Sequence, residues 1–243
     1  MDYQLYGLNP WGHHLTNLFL HGLNTCLVFV LFVLLVGRGR EGYDNGVYIG
    51  GIFTALLFGL HPLRVESVAW VSERKDLLCG FFFFSTIAAY CTYVREKKRL
   101  GYNLLIFFFT LAIMSKPMAV TLPIVLLLLD VFPLERVRLT KDLPPLFIEK
   151  IPLFALSLLG GVLTLLAQSA TGAVRTLQET SFADRIINSF QTLWAYVEKT
   201  FWPRDLLPFY QFLENPSLFS IKFLLGLILF FGVTLFSFYQ WRK

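Results

Sequence analysis

A charged segment between two apolar runs holds the residues of this chain that are best suited to chemistry. It reads HPLRVESVAWVSERKD, from His61 to Asp76, and contains three acids, three bases and a histidine. Ionisable side chains beside a membrane commonly mark a site of binding or catalysis. Carboxylates can act as general bases, accept the hydroxyls of a sugar or hold a divalent metal, and basic groups can bind phosphate.

The three acids of this segment would share one face if it formed a single helix. The proline after His61 suits a first helical turn, where its missing N–H group has no partner to lose. At about 100° per residue, Glu66, Glu73 and Asp76 would lie within an arc of about 80°. This face could hold a metal or a sugar, or supply a base. The alternative, favoured by spacing alone, is an amphipathic surface helix with solvated acids and Trp70 among the headgroups.

Lys116 is a second candidate, because it interrupts a stretch that is otherwise free of charge from Tyr102 to Leu129. As a compact positive charge it could bind the phosphate of a lipid headgroup. It could equally extend its ammonium group to the membrane surface without any ligand. Its position leaves both interpretations open.

Other polar residues favour structural interpretations. His13, His14 and His21 open the first apolar run. Only His14 and His21 lie nearly on one helix face, so a metal site there lacks a convincing third ligand. We expect these histidines to be hydrogen-bonded to loops at the membrane interface. Asp130 ends a later apolar run and is expected to cap a helix or loop. The three cysteines lie in apolar runs, which argues against a disulfide framework or a zinc site.

The elements that position these residues must be membrane helices. Hydrophobic residues make up 56% of the chain and charged residues 15%, which is typical of an integral membrane protein. Several apolar runs approach the roughly 20 residues that a helix needs to cross the bilayer. Because strand-like alternation is absent from the sequence, the predicted fold class is all-α, a polytopic helical membrane protein.

We predict about seven transmembrane helices in a single membrane domain over residues 1–243, with short external helices beside the membrane. The predicted spans are 15–36, 46–60, 77–94, 102–114, 118–132, 148–167 and 218–238. Pro117 separates the fourth span from the fifth, because proline removes a backbone donor and restricts the residue before it. Residues 181–202 are periodic but polar, so we expect them to lie on the outer surface. No tetratricopeptide repeat of about 34 residues is detectable.

Lysine and arginine predict the orientation. They are densest in the short loops 37–45, 95–101 and 134–147, which we assign to the cytoplasm. Loops 61–76 and 168–217 then face outward, with the N-terminus outside and the C-terminus in the cytoplasm. The net charge of +5 is explained by attraction of these loops to anionic membrane lipid, and no nucleic-acid partner is expected.

Four blocks resemble a known family. GLNPWGHHLTNLFLHGLN, FGLHPLRVESVAWVSERKDLL, SKPMAVTLPIVLLLLDVFPLER and EKIPLFALSLLGGVLTLLAQ are similar to the membrane portion of bacterial relatives of the transmembrane and tetratricopeptide-repeat O-mannosyltransferases. The resemblance implies a GT-C-like glycosyltransferase of the bacterial inner (cytoplasmic) membrane. Such enzymes transfer a sugar from a polyprenyl-phosphate donor to an extracytoplasmic acceptor, here expected to be a protein hydroxyl.

Carried over by position, the resemblance implies roles for individual residues. Glu66 and Asp76 would be catalytic, and Arg74 and Lys116 would bind the donor phosphate. His61 and Glu73 would support the loop. No metal ligand is assigned, although the carboxylate face could hold a divalent metal.

The relatives usually carry features that are not seen in this sequence, which leads to further expectations. These features are an earlier membrane helix, an external loop with an acidic pair, and tetratricopeptide repeats. The chain is therefore expected to be a fragment or a shortened relative. The alternative function is a non-catalytic membrane module that binds a lipid-phosphate carrier or scaffolds partner subunits. A small-solute transporter ranks last, because the helix centres carry almost no ionisable groups.

Overall fold

The computed structural model describes residues 2–37, 44–137, 141, 143–170, 181–207 and 217–241. Within these ranges the regular structure is helical and contains no strand, which confirms the predicted all-α fold. Parts of the predicted loops, including residues 38–43, 138–140, 171–180 and 208–216, lie outside the described residues. The predicted GT-C-like arrangement stays a prediction.

Between α3 and α7 the helices follow one another with short connections, and three of these connections contain 3₁₀ turns. The α-helices are α1 (Asp2–Tyr6), α2 (Pro10–Val36), α3 (Asn45–Leu60), α4 (Val65–Ala69), α5 (Arg74–Glu96), α6 (Arg99–Ser115), α7 (Leu122–Val131), α8 (Leu143–Ala170), α9 (Phe182–Phe201) and α10 (Ile221–Trp241). The 3₁₀ turns are Pro62–Arg64, Val71–Glu73 and Pro117–Thr121.

Among the described residues, three helices are long and apolar enough to cross a membrane. They are Pro10–Val36, Val71–Glu96 and Leu143–Ala170, and a fourth crossing is possible if α3 and Pro62–Ala69, which meet at a 53° bend, form one span. Three shorter apolar helices lie at Arg99–Ser115, Pro117–Val131 and Ile221–Ser237. The membrane character of the fold is therefore confirmed, and the number of seven crossings stays a prediction.

Local sequence explains where several helices begin. Asn9 precedes Pro10 at the start of α2, and its side chain accepts a hydrogen bond from the backbone of Trp11 at 3.1 Å. Asp44 caps α3 by accepting from the backbone of Val47 at 2.9 Å. Such side chains satisfy backbone donors that the first turn leaves unpaired, so these helix starts are encoded in neighbouring residues.

The chain divides into two compact units, Met1–Ala167 and Gln168–Lys243. In the first unit α5 packs against both α2 and α6, and fully buried side chains such as Tyr90, Phe109 and Leu126 form its core. In the second unit α9 packs against α10. Phe190 of α9 lies edge-to-face with Phe223 and Phe230, at ring-centroid distances of 5.8 and 5.7 Å.

Candidate functional site

Segment 61–76 is bent, so it is not the single helix that a common face of three acids would require. Its two 3₁₀ turns flank α4, and Trp70 between α4 and the second turn has an extended backbone at φ −88° and ψ 112°. His61 Nδ1 accepts a hydrogen bond from the backbone of Leu63 at 3.2 Å, which caps the first turn. The regular 100° step of a helix does not continue across Trp70.

Two of the three acids nevertheless meet Lys116. Its ammonium group forms an ion pair with Asp76 Oδ1 and lies 3.8 Å from Glu73 Oε2. Glu73 also pairs with Lys75, at 3.2 Å. The side chains of Glu73, Asp76 and Lys116, here called the Lys116 cluster, are 16%, 27% and 31% exposed. The cluster is therefore partly buried but still open to a ligand.

The break between α6 and α7 places Lys116 in this cluster. Lys116 has an extended backbone, φ −156° and ψ 133°, as expected for a residue before proline. Asp76 lies in the first turn of α5, where the helix dipole favours a negative charge. Burial by itself would lower the pKa of Lys116, but the hydrogen bond to Asp76 and the charges of Asp76 and Glu73 outweigh it, so this pKa lies above its ordinary value.

Arg74 is bonded to α2. Its Nε donates to Asn17 Oδ1 at 2.8 Å, and its Nη2 donates to the His13 carbonyl oxygen at 2.9 Å. Asn17 in turn donates to the carbonyl oxygens of Val68 and Trp70, at 3.1 and 3.4 Å. Arg74 therefore joins α2 to the start of α5, a role that its sequence position did not indicate.

Glu66 lies apart from the Lys116 cluster. Its side chain is exposed, and no ion pair or hydrogen bond of its carboxylate is found among the described residues. Over the same described ranges, no group of three or more histidine, cysteine, aspartate or glutamate residues is arranged to hold a metal ion. The structure thus brings together three of the six predicted site residues, since Lys116 contacts both Glu73 and Asp76. Arg74 is next to Glu73 in sequence, but its Nε and Nη2 are bonded to α2.

The predicted histidine and cysteine environments can also be compared with the structure. His13 Nε2 lies 3.1 Å from the Gly7 carbonyl oxygen, and His21 Nε2 lies 2.9 Å from that of Gly59. These backbone contacts fit histidines that have structural roles. Within the described ranges, no disulfide joins Cys26, Cys79 and Cys91.

A second charged group, which sequence reasoning missed, is buried at the other end of α5. Asp130 and Lys150 are 0% and 1% exposed, and Lys150 Nζ lies 2.5 Å from Asp130 Oδ2. Arg136 contacts Asp130 at 3.1 Å and both carboxylate oxygens of Glu149 at 2.9 Å. Tyr90 lies among these groups and accepts from Arg136 at 2.6 Å and from Lys150 at 2.8 Å. We call these five residues the Tyr90 network.

The Tyr90 network corrects the interpretation of Asp130. Its carboxylate was expected to cap a helix or loop, but it lies in the core and bonds to side chains from three other parts of the chain. The sequence signal for this network is the adjacent pair Glu149 and Lys150, two charged residues at the start of a predicted apolar span. Tyr90 is 14 residues beyond Asp76 on α5, about 21 Å along the axis, so the network is separate from the Lys116 cluster.

Comparison with known proteins gives partial matches. No protein-family model and no solved structure matches the chain. The chain is 35% identical over 99 residues to the Homo sapiens protein O-mannosyl-transferase TMTC4, a match that covers 39% of this chain and 13% of that protein. It is 27% identical over 158 residues to Homo sapiens TMTC2, with coverage of 62% and 18%. It is 32% identical over 97 residues to Homo sapiens TMTC3, with coverage of 40% and 9%.

Each of these matches spans less than a fifth of the relative's length. The predicted bacterial source and the predicted truncation stay predictions. Over part of its length, the chain is homologous to the TMTC protein O-mannosyl-transferases, which supports the family resemblance of its sequence blocks.

Proposed function

We propose that this chain is a membrane glycosyltransferase module that transfers a sugar from a polyprenyl-phosphate donor to a protein hydroxyl on the extracytoplasmic side of a bacterial inner membrane. The observation that carries the proposal is the Lys116 cluster, where a cation and two carboxylates meet at the end of apolar helices. The partial homology to protein O-mannosyl-transferases supports the same chemistry.

The cluster contains groups of the kind that glycosyl transfer needs. The acceptor oxygen forms a bond to the anomeric carbon of the sugar, and the bond from that carbon to the phosphate oxygen breaks. The leaving phosphate gains negative charge, which Lys116 neutralises with help from the charge of Arg74. Asp76 takes the proton of the acceptor hydroxyl. Positioning and charge stabilisation together lower the barrier.

The remaining predicted residues have supporting parts in this proposal. Glu66 is a second carboxylate, exposed and free to meet an acceptor. Glu73 holds Lys116 and Lys75 by charge, and His61 fixes the first turn of the segment. Arg74 is bonded to α2 through Nε and Nη2, and in this proposal it contributes its positive charge to phosphate binding.

A second function is favoured by one feature of the same cluster. Asp76 is already paired with Lys116, so in this state the carboxylate is not a free base. A membrane module that binds a lipid phosphate through Lys116, without sugar turnover, would need no base at all. This non-catalytic carrier-binding or scaffolding module is the alternative.

The two functions are separated by measuring donor binding and transfer in one set of variants. The protein is reconstituted in vesicles with polyprenyl-phosphate mannose and a serine- and threonine-containing peptide. Lys116→Gln is expected to weaken donor binding and transfer, and Asp76→Asn is expected to bind the donor but lose about 100-fold or more in transfer rate. Lys75→Gln is the matched control, because Lys75 is 52% exposed and pairs with Glu73 alone among the acids of the cluster.

Each outcome decides between the proposals. Full transfer in both Lys116→Gln and Asp76→Asn would remove these residues from the mechanism. Donor binding by the wild type that depends on Lys116, with no transfer to any peptide, would favour the carrier-binding module.

A further inference from the structure

We propose that Asn17 is a positioning residue that holds the bent external segment 61–76 in the shape that brings its acids to Lys116. The inference rests on the function proposed above, because the position of these acids matters only if the Lys116 cluster binds or reacts. Asn17 itself is fully buried, at 0% exposure, and therefore acts through other residues.

Asn17 bonds to the external segment on both sides of its bend. Its amide nitrogen donates to the carbonyl oxygen of Val68 before the bend and to that of Trp70 at the bend. Its amide oxygen accepts from Arg74 after the bend, at 2.8 Å. One side chain thus joins three points of the segment that lie 51 to 57 residues away in the chain.

The physical need for such a residue comes from the broken helix. Where α4 ends at Ala69, the Val68 carbonyl loses its partner within the helix, whereas the Trp70 carbonyl already accepts from the backbone of Glu73 at 3.0 Å. Beside a membrane an unpaired carbonyl is costly, and another side chain must satisfy it. An asparagine can both donate and accept, so it can bond to these carbonyls and to a guanidinium at the same time.

The bonds of Asn17 end next to the Lys116 cluster. Arg74 is the first residue of α5 and directly follows Glu73, and Asp76 comes two residues later in the same turn. The link from Asn17 to Arg74 therefore fixes the start of α5 against α2. Loss of this link would let Glu73 and Asp76 move away from Lys116, although no contact of Lys116 itself is removed.

Asn24 provides a matched control on the same helix. It is also a buried asparagine, 2% exposed, and its amide nitrogen donates to the Leu77 carbonyl oxygen at 2.9 Å. This bond reaches the fourth residue of α5 and does not contact the bend. A general loss of stability would affect Asn17 and Asn24 variants alike, whereas a positioning role is specific to Asn17.

The test measures the accessibility of the segment and the reaction separately. Ser67 of α4, which is only partly exposed, is replaced by cysteine in a Cys26→Ser background, and its rate of maleimide labelling is measured in vesicles. Asn17→Leu is expected to raise this rate about tenfold, since it removes three hydrogen bonds. Asn17→Asp, which keeps the oxygen that faces Arg74 but not the donor, is expected to give a smaller rise. Asn24→Leu is expected to leave the rate near that of the wild type.

Transfer kinetics supply the second readout. Asn17→Leu is expected to lower kcat by about tenfold or more, with KM for polyprenyl-phosphate mannose changed less than threefold, because Lys116 is still present. Asn17→Asp is expected to recover part of the lost kcat.

Equal increases in labelling for Asn17→Leu and Asn24→Leu would overturn the proposal, because they would indicate general loosening. No increase for Asn17→Leu would also overturn it. Labelling needs neither donor nor acceptor, so the expected labelling pattern in a protein that transfers no sugar would overturn the proposed function and leave the structural role of Asn17 in place.

Discussion

Replacement of Lys150 by methionine is expected to destabilise the first unit by about 3–5 kcal/mol, the cost typical of removing one partner from a buried ion pair. Lys150 and Asp130 are essentially inaccessible to solvent. Lys150 Nζ bonds to Asp130 Oδ2, and the other oxygen of Asp130 is shared by Tyr90 and Arg136. Methionine fills a similar volume, so the main effect is electrostatic.

The size of this effect follows from the charges in the Tyr90 network. Asp130 and Glu149 are balanced by Arg136 and Lys150, two acids against two bases. Without Lys150, two carboxylates share a single guanidinium, and one negative charge is uncompensated next to Asp130, which water does not reach. A carboxylate that keeps its charge there loses its hydration without a full replacement.

The double variant Asp130→Asn with Lys150→Met distinguishes charge imbalance from lost packing. It leaves Arg136 and Glu149 as a balanced pair with two hydrogen bonds, so we expect it to recover most of the lost stability. Lys98→Met is the control: Lys98 is 72% exposed and pairs with Glu96 at the surface, so its loss should change stability little.

Stability is measured by denaturant unfolding in mixed detergent micelles, followed by circular dichroism. A value for Lys150→Met within about 1 kcal/mol of the wild type, the ordinary range of point variants, would contradict a buried and balanced network. A double variant as unstable as Lys150→Met would show that packing, not charge, dominates.

Three further predictions concern other parts of the chain. Gly226→Ala should destabilise the α9–α10 pair by about 1–3 kcal/mol in thermal unfolding, because the added Cβ would lie 2.0 Å from the Phe190 carbonyl oxygen. Gly232→Ala is the control, because an added Cβ there would meet no atom within 4 Å. Because the pKa of Lys116 is raised in the folded protein, its ion pair stabilises the fold fully at pH values below the ordinary lysine pKa of about 10.4. This stabilisation is lost as the pH rises above the pKa of Lys116 in the folded protein. Lys116→Gln should therefore be less stable than wild type at neutral pH, and the difference should shrink in strongly alkaline unfolding titrations. Tyr102→Phe removes a 2.7 Å hydrogen bond to the backbone of α8 and should cost about 1 kcal/mol in denaturant unfolding.

Local sequence is sufficient to predict an all-α membrane protein and to single out the charged residues of its candidate site. Apolar runs predict membrane helices because hydrophobicity and length are properties of neighbouring residues. Pro117 predicted the break that the structure shows after Ser115, since proline acts on the residue directly before it. The charge of segment 61–76 is evident from its residues, but its bend at Trp70 could not be predicted, because no proline or glycine lies at that point.

Which polar groups meet depends on tertiary packing. Asp76 and Lys116 are 40 residues apart, Asn17 and Arg74 are 57 apart, and Asp130 and Lys150 are 20 apart. Each pair forms because two helices pack in one particular register, and that register depends on contacts along the whole of both helices. The sequence therefore shows which residues have side chains suited to binding phosphate or accepting a proton, and the packing of α2, α5 and α6 determines which of these side chains lie together.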